Sequence, residues 1–218
     1  MRNIIDIYNE YKIPLNLQLH QLKVAAVASQ IAAHIDVVDR DSLIIAALLH
    51  DMGNVVKFDF THSKELFGYS DEEVEKEKAL QAEFMRRYGQ NEHIANVEIA
   101  RELGASPRVI ELVDQNEFKA LCSHRDSDDL EKKILHYADG RVSPLRICSY
   151  DERMAEAGKR YSNHALKPSL PKSDWLKLVD CGRDMEKQIF ALTHDLKPED
   201  ITDDSVKPII ESLKESVL

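Results

Sequence analysis

The chain has 218 residues, a formal net charge of -10 at pH 7 and three cysteines. This length suffices for a substantial hydrophobic core without disulfides, and the negative charge argues against binding long nucleic acid through a basic surface. Cys122, Cys148 and Cys181 are widely spaced and odd in number, which fits neither a disulfide framework nor a zinc ribbon. We therefore expect a reducing, cytoplasmic environment. Since no apolar run approaches the roughly 20 residues that span a bilayer, we expect no membrane partner.

Apolar residues recur mostly at spacings of three and four, and glycine and proline number only seven each, which predicts an all-α fold. No composition break demands a second domain, so residues 1–218 are expected to form one helical domain. The first long helix is predicted over residues 16–35. One stripe of this helix carries Leu17, His20, Val24, Val27, Ile31 and His34. His20 is therefore expected to point inward.

A second helix is predicted over residues 40–52, with Asp39 or Asp41 near its start and Gly53 at its end. This assignment puts His50 and Asp51 in its last turn. Residues 57–68 are predicted to form a loop. The sequence from Ser70 to Glu73 is a capping-box pattern that opens a charged helix toward residue 88.

Further helices are predicted over residues 91–103, from residue 107 to about 116, and over 128–141. The last of these carries Asp139 near its end. Beyond Pro144 the helical pattern weakens, and residues 167–171 are predicted to form a loop between that region and helices at about 173–193 and 202–217. The final helix has apolar residues that could face the core or a second subunit, namely Val206, Ile209, Ile210 and Leu213. The oligomeric state therefore stays open.

The pair His50-Asp51 directly follows an apolar run over residues 43–49. Two ionisable side chains in that position are costly to bury without a partner such as a cation. His20 and Asp139 provide further imidazole and carboxylate groups, the ligand types of divalent metals in hydrolases. Each residue also has an explanation without a metal. A histidine is favourable at a helix C-terminus, and an inward histidine is often simply part of a core.

The order His20, His50-Asp51, Asp139, with Asp139 in the segment Tyr137–Arg141, resembles the HD-domain superfamily of metal-dependent phosphohydrolases. The resemblance covers about residues 15–142 and implies an HD-domain-like helical bundle, with residues 143–218 as a helical C-terminal extension. It also implies one divalent ion held by these four residues. Manganese, cobalt, iron, nickel and zinc all suit this ligand set.

Two departures from the family pattern affect this hypothesis. Two-metal members carry two further histidines before the final aspartate; His93 matches the first, but the expected place of the second reads Asp114-Gln115-Asn116. A mononuclear site is therefore predicted, with His93 facing the substrate or supporting a ligand. Asn54 stands where related proteins often carry a lysine or a glutamate. The acid that protonates the leaving group is therefore unassigned.

The predicted function is hydrolysis of a small phosphate ester, with a nucleoside monophosphate as one candidate, through a metal-activated water. Asp51 is predicted to be catalytic because it is close enough in principle to accept a proton from that water. Lys57 and Arg141 are candidate phosphate contacts, although either could be a solvated surface charge.

Two other classes of function fit parts of the pattern. One is a dinuclear enzyme on the same scaffold, either a cyclic-nucleotide phosphodiesterase or an iron oxygenase, which needs a ligand in place of the missing histidine. Metal stoichiometry distinguishes it. The other is a non-catalytic nucleotide or metabolite sensor, which would bind a nucleotide without releasing phosphate.

Overall fold

The computed structural model describes residues 2–60, 64, 67–144, 146–162 and 171–215. Over these residues the chain forms eleven α-helices and no β-strand, which confirms the predicted all-α fold. The helices are α1 (Ile4–Glu10), α2 (Leu15–Ala32), α3 (Arg40–Leu49), α4 (Asp71–Tyr88), α5 (Glu92–Glu102), α6 (Pro107–Asp114), α7 (Leu121–Asp126), α8 (Leu130–Asp139), α9 (Tyr150–Ser162), α10 (Lys172–Phe190) and α11 (Asp203–Lys214). Short 3-10 helices span Met52–Lys57, Phe118–Ala120 and Pro198–Asp200.

Helix α2 is the central element, with α3, α8 and α11 packed around it. Its middle is apolar on every side, and the five residues Val24, Ala25, Ala26, Val27 and Ala28 are completely buried. A helix that is apolar all round belongs in a core, and its small alanines let neighbouring helices approach closely. The helix extends from Leu15 to Ala32, close to the predicted range. It holds His20 on its inward face, where the side chain is 17 % exposed.

Helix α3 ends earlier than predicted. Asp39 caps its start, accepting a hydrogen bond from the backbone N–H of Ser42, but its last helical residue is Leu49. The prediction that His50 and Asp51 lie in the last turn is wrong, because His50 is the C-cap and Asp51 precedes the 3-10 helix. The backbone therefore changes direction at this pair. Such a turn allows two adjacent side chains to reach the same place.

Close packing between the 3-10 helix Met52–Lys57 and α5 accompanies this turn. The backbone N–H of Gly53 donates a hydrogen bond of 2.5 Å to Asn96 Oδ1. A Cβ on Gly53 would lie 2.6 Å from Ala95 Cβ, so only glycine fits at this contact. Gly53 lies inside the 3-10 helix and does not end α3, which corrects the predicted helix boundary.

Helix starts agree well with the capping predictions. Side chains of Ser70, Asn91, Ser106 and Thr202 cap α4, α5, α6 and α11, respectively. In the predicted loop over residues 57–68, Lys57 ends the 3-10 helix, and residues 61–63, 65 and 66 lie outside the described part. The loop predicted at 167–171 lies outside it too, apart from residue 171. Helices α1, α7 and α9 were not predicted.

The C-terminal helices pack onto the remainder of the bundle. Helix α10 contacts α7 and α8, and α11 contacts α1 and α2. Val206 and Leu213 of α11 are buried, so that helix uses its apolar face within this chain. No described helix has the length and apolar character needed to cross a membrane.

A disulfide joins Cys122 of α7 to Cys181 of α10, while Cys148 is a free, buried thiol. This bond was not predicted from the sequence, which shows no sign of a disulfide framework. The two partners are 59 residues apart in sequence, and the packing of α10 against α7 brings them together. Spacing along the sequence carries no sign of such a contact.

Candidate metal centre

Three helices bring the side chains of His20, His50 and Asp139 to one point. Potential ligand atoms of these residues all lie within 4.8 Å of one another, the one such group of three found in the described part of the chain. Asp139 Oδ1 is 3.2 Å from His20 Nε2 and 3.8 Å from His50 Nε2. His20 comes from α2, His50 from the end of α3 and Asp139 from the end of α8. Residues separated by 119 positions thus form one cluster of metal-ligand type.

Asp51 lies beside this cluster. Its Oδ2 is 3.5 Å from His20 Nε2 and 3.7 Å from His50 Nε2. The backbone N–H of Asp51 donates to Oε1 of Gln21, the residue next to His20, at 3.3 Å. Asp51 is not a member of the group of three, so its role as a fourth ligand stays a prediction. Its carboxylate is nevertheless within reach of both histidines.

The orientation of His50 fits a metal ligand. Its Nδ1 lies 2.8 Å from the backbone carbonyl oxygen of Ala47. This hydrogen bond fixes the orientation of the ring and leaves Nε2 available as a metal ligand. Nε2 is buried and has no hydrogen-bond partner among the described residues. A buried polar atom in that state is unfavourable. A divalent cation between His50, His20 and Asp139 would satisfy it, so the residues present fit a metal.

The pKa values of His50 and Asp139 also fit a bound cation. Burial lowers the pKa of His50, but the neighbouring carboxylates of Asp51 and Asp139 raise it further, to about 9. Burial works in the opposite direction on Asp139, whose pKa is nonetheless held well below its usual value by His20 and His50. In the absence of a cation, a proton on His50 therefore offsets part of the charge of the two carboxylates. A bound metal would replace that proton.

Behind the cluster, His136 and His124 form a buried pair. Their Nδ1 atoms are 3.2 Å apart, so one ring donates and the other accepts. Burial, reinforced by His124, lowers the pKa of His136 to about 4. Burial also lowers the pKa of His124, so both rings are uncharged at neutral pH. His136 precedes Asp139 by one helical turn in α8.

The predicted substrate residues have different surroundings. Lys57 lies with Nζ 3.6 Å from Glu92 Oε1 and is partly exposed, so its phosphate contact stays a prediction. His93 Nε2 is 3.1 Å from Asp114 Oδ1 and 3.6 Å from Glu117 Oε1. His93 also lines a cavity of about 360 Å³. It therefore contacts carboxylates, and a role toward the substrate stays a prediction as well.

Arg141 requires a correction. Its guanidinium is buried and donates to the Tyr137 hydroxyl at 2.7 Å and to the backbone carbonyl of Cys148 at 2.5 Å. It also donates to the carbonyls of Pro198 and Ile201, at 3.0 and 3.2 Å. These four acceptors occupy the guanidinium. The structure therefore argues against the predicted phosphate contact. Instead, the Arg141 side chain joins the end of α8 to the C-terminal segment through these hydrogen bonds.

Two buried polar residues near the cluster were not predicted from the sequence as site residues. Gln21 is completely buried, and its Nε2 has no hydrogen-bond partner among the described residues. The same holds for Oδ1 of Asn54, which follows Asp51 by three residues. A polar side chain next to His20, on the strongly apolar α2, was the signal available for Gln21.

Comparison with known proteins agrees with this geometry. The family model "HD domain" matches residues 18–141, which is more than half of the chain and includes His20, His50, Asp51 and Asp139. The chain therefore belongs to the HD domain family, and the resemblance identified from the sequence is confirmed. No curated protein and no solved structure matches the chain.

Proposed function

We propose that this protein is a metal-dependent phosphohydrolase that cleaves small phosphate esters. One observation carries the proposal: His20, His50 and Asp139 converge, with a buried Nε2 of His50 that lacks a hydrogen-bond partner within the described residues. Membership of the HD domain family supports it, since metal-dependent phosphohydrolysis is the typical activity there.

His20, His50 and Asp139 would hold the ion, with Asp51 as the fourth ligand. A bound divalent cation supplies a water of lowered pKa and neutralises charge on a phosphoryl oxygen. The proposal is for one ion, because a single group of three ligand-type residues forms in the described part of the chain. Manganese, cobalt, iron, nickel and zinc remain the candidates.

Side chains of the protein would carry out proton transfer and phosphate binding. Asp51 is partly exposed, and its Oδ2 lies near both histidines, so it can accept a proton from a water bound there. Lys57 is the cation nearest in sequence to the His50-Asp51 pair and can swing from Glu92 to a phosphate. The substrate is an ester small enough for this site, and nucleoside monophosphates are among the esters to test.

The test is phosphate release from phenyl phosphate and from nucleoside monophosphates, by protein reconstituted with each candidate metal. We expect activity in the parent, and a loss of at least about a hundredfold in Asp51→Asn. A matched control is Asp195→Asn, which removes a surface carboxylate that pairs with His34. Equal activity in the parent and Asp51→Asn, or none with any metal, would contradict the proposal.

A further inference from the structure

The cavity lined by His93 is the second feature of the structure that suggests a ligand. It has a volume of about 360 Å³, and polar side chains dominate its walls. Those walls include His93, Asp114, Gln115, Glu117, Ser123 and His124. Ala120 is the sole apolar residue among the described ones that line it. Such a lining disfavours a flat apolar group, which would need aromatic or aliphatic walls.

His124 gives the cavity a built polar wall. The residue is only 5 % exposed, and its Nδ1 is occupied by His136. Nε2 of His124 has no hydrogen-bond partner among the described residues, and the ring lines the cavity. A buried imidazole with one nitrogen anchored presents the other for a ligand. This observation is independent of the acidic residues that line the cavity.

Charge decides which part of a substrate the cavity accepts. Asp114 and Glu117 both approach His93, and because two carboxylates outnumber one imidazole, this part of the wall is net negative at neutral pH. Burial lowers the pKa of His124, which keeps that ring uncharged. A phosphoryl group would therefore be repelled here. An uncharged group that both donates and accepts hydrogen bonds is favoured.

In two places, residues that line the cavity are neighbours of residues close to the metal cluster. On one side His124 contacts His136, which lies one turn before Asp139. On the other side, His93 is in the first turn of α5, and the preceding residue Glu92 pairs with Lys57, at the end of the 3-10 helix that follows Asp51. The cavity wall and the cluster thus share neighbouring residues on two elements.

We propose that this cavity binds the hydroxyl-rich leaving group of the substrate, so that the preferred esters are sugar or polyol phosphates. The inference rests on the proposed function. Hydroxyl groups can donate to Asp114 and Glu117 and accept from Gln115, whereas an ammonium group can only donate. A flat base would lack the apolar walls that it needs. On hydrolysis the bond between phosphorus and the sugar oxygen breaks, water forms the new bond to phosphorus, and the sugar oxygen takes a proton.

The test compares kcat/KM for ribose 5-phosphate, adenosine 5′-monophosphate, ethanolamine phosphate and phenyl phosphate. We expect ribose 5-phosphate to exceed the other three by about tenfold or more. In Gln115→Met and Glu117→Met, its kcat/KM should fall by about three- to tenfold, and that of phenyl phosphate should fall much less. Glu83→Met, a surface change next to Lys12, is the control and should alter neither value.

Failure of the inference is distinguishable from failure of the proposed function. Preference for adenosine 5′-monophosphate or ethanolamine phosphate, or equal losses on all esters in the variants, would overturn the inference while hydrolysis itself persists. If no ester is hydrolysed, calorimetric binding of ribose 5-phosphate and phenyl phosphate decides. Binding of the sugar phosphate that is no tighter than that of phenyl phosphate, or unchanged in Glu117→Met, would then overturn it.

Discussion

Replacing Gly53 with alanine should destabilise the protein by about 3 kcal/mol, because the added methyl group has no room against α5. Its Cβ would lie 2.6 Å from Ala95 Cβ and 2.6 Å from the backbone nitrogen of Asn96. Ordinary contacts start at 3.4 Å, so the two elements must move apart by roughly 0.8 Å. The same movement stretches the 2.5 Å hydrogen bond between Gly53 and Asn96.

Two contributions make up this magnitude. Overpacking of a tight core contact costs about 1–3 kcal/mol, and weakening a buried hydrogen bond costs about 1 kcal/mol. Urea unfolding followed by circular dichroism measures the sum. Gly158→Ala is a matched control. Gly158 lies within helix α9, and a Cβ added there would be 3.4 Å or more from the side chain of Trp175. That variant should be as stable as the parent or slightly more stable.

A free energy of unfolding for Gly53→Ala within about 0.5 kcal/mol of the parent would refute this packing argument. The variant should also bind metal more weakly than the parent. Gly53 lies two residues after Asp51, so a displaced 3-10 helix moves that carboxylate. Unchanged metal affinity together with lost stability would mean that the strain is absorbed in α5.

Three further predictions concern the metal, the buried arginine and the disulfide. Metal binding at pH 7.5 should release about one proton, since His50 with a pKa of about 9 is protonated in cation-free protein; calorimetry in buffers of different ionisation enthalpy counts it, and zero release would contradict this. Metal affinity should accordingly rise as the pH increases toward 9. Arg141→Lys should lower the free energy of unfolding by about 2–4 kcal/mol and leave KM for the ester unchanged, whereas a raised KM with unchanged stability would restore the phosphate contact. Protein unfolded without reductant should show one thiol rather than three, and reduction should lower stability by up to about 4 kcal/mol for a closed loop of this length.

Local sequence signals predicted much of the fold. The stripe on α2 and the capping residues Ser70, Asn91 and Ser106 depend on neighbours within one or two turns, so the sequence contains the whole signal. Short helices such as α1 and α7 lack enough turns to show a periodic apolar pattern. Helix α3 was predicted too long because its end is set by contact between Gly53 and α5, some 40 residues later.

The site residues also differ in whether the sequence alone could predict their roles. His20, His50 and Asp139 could be selected from residue type and family pattern, and the structure brings them together. The occupied guanidinium of Arg141 was not predictable, because two of its acceptors lie 57 and 60 residues away in sequence. The pair of His124 with His136 and the cavity beside it likewise depend on how α7 and α8 meet. Contacts between distant elements are the part that the sequence did not reveal.

Metal content per chain tests the central claim most directly. The parent, purified without chelator and reconstituted with each candidate divalent metal, should hold one equivalent, and Asp139→Asn should hold almost none at the same free metal concentration. His194→Ala removes an exposed histidine near Asp36 and should keep the full equivalent. No metal in the reconstituted parent, or equal content in Asp139→Asn, would contradict a metal centre formed by His20, His50 and Asp139.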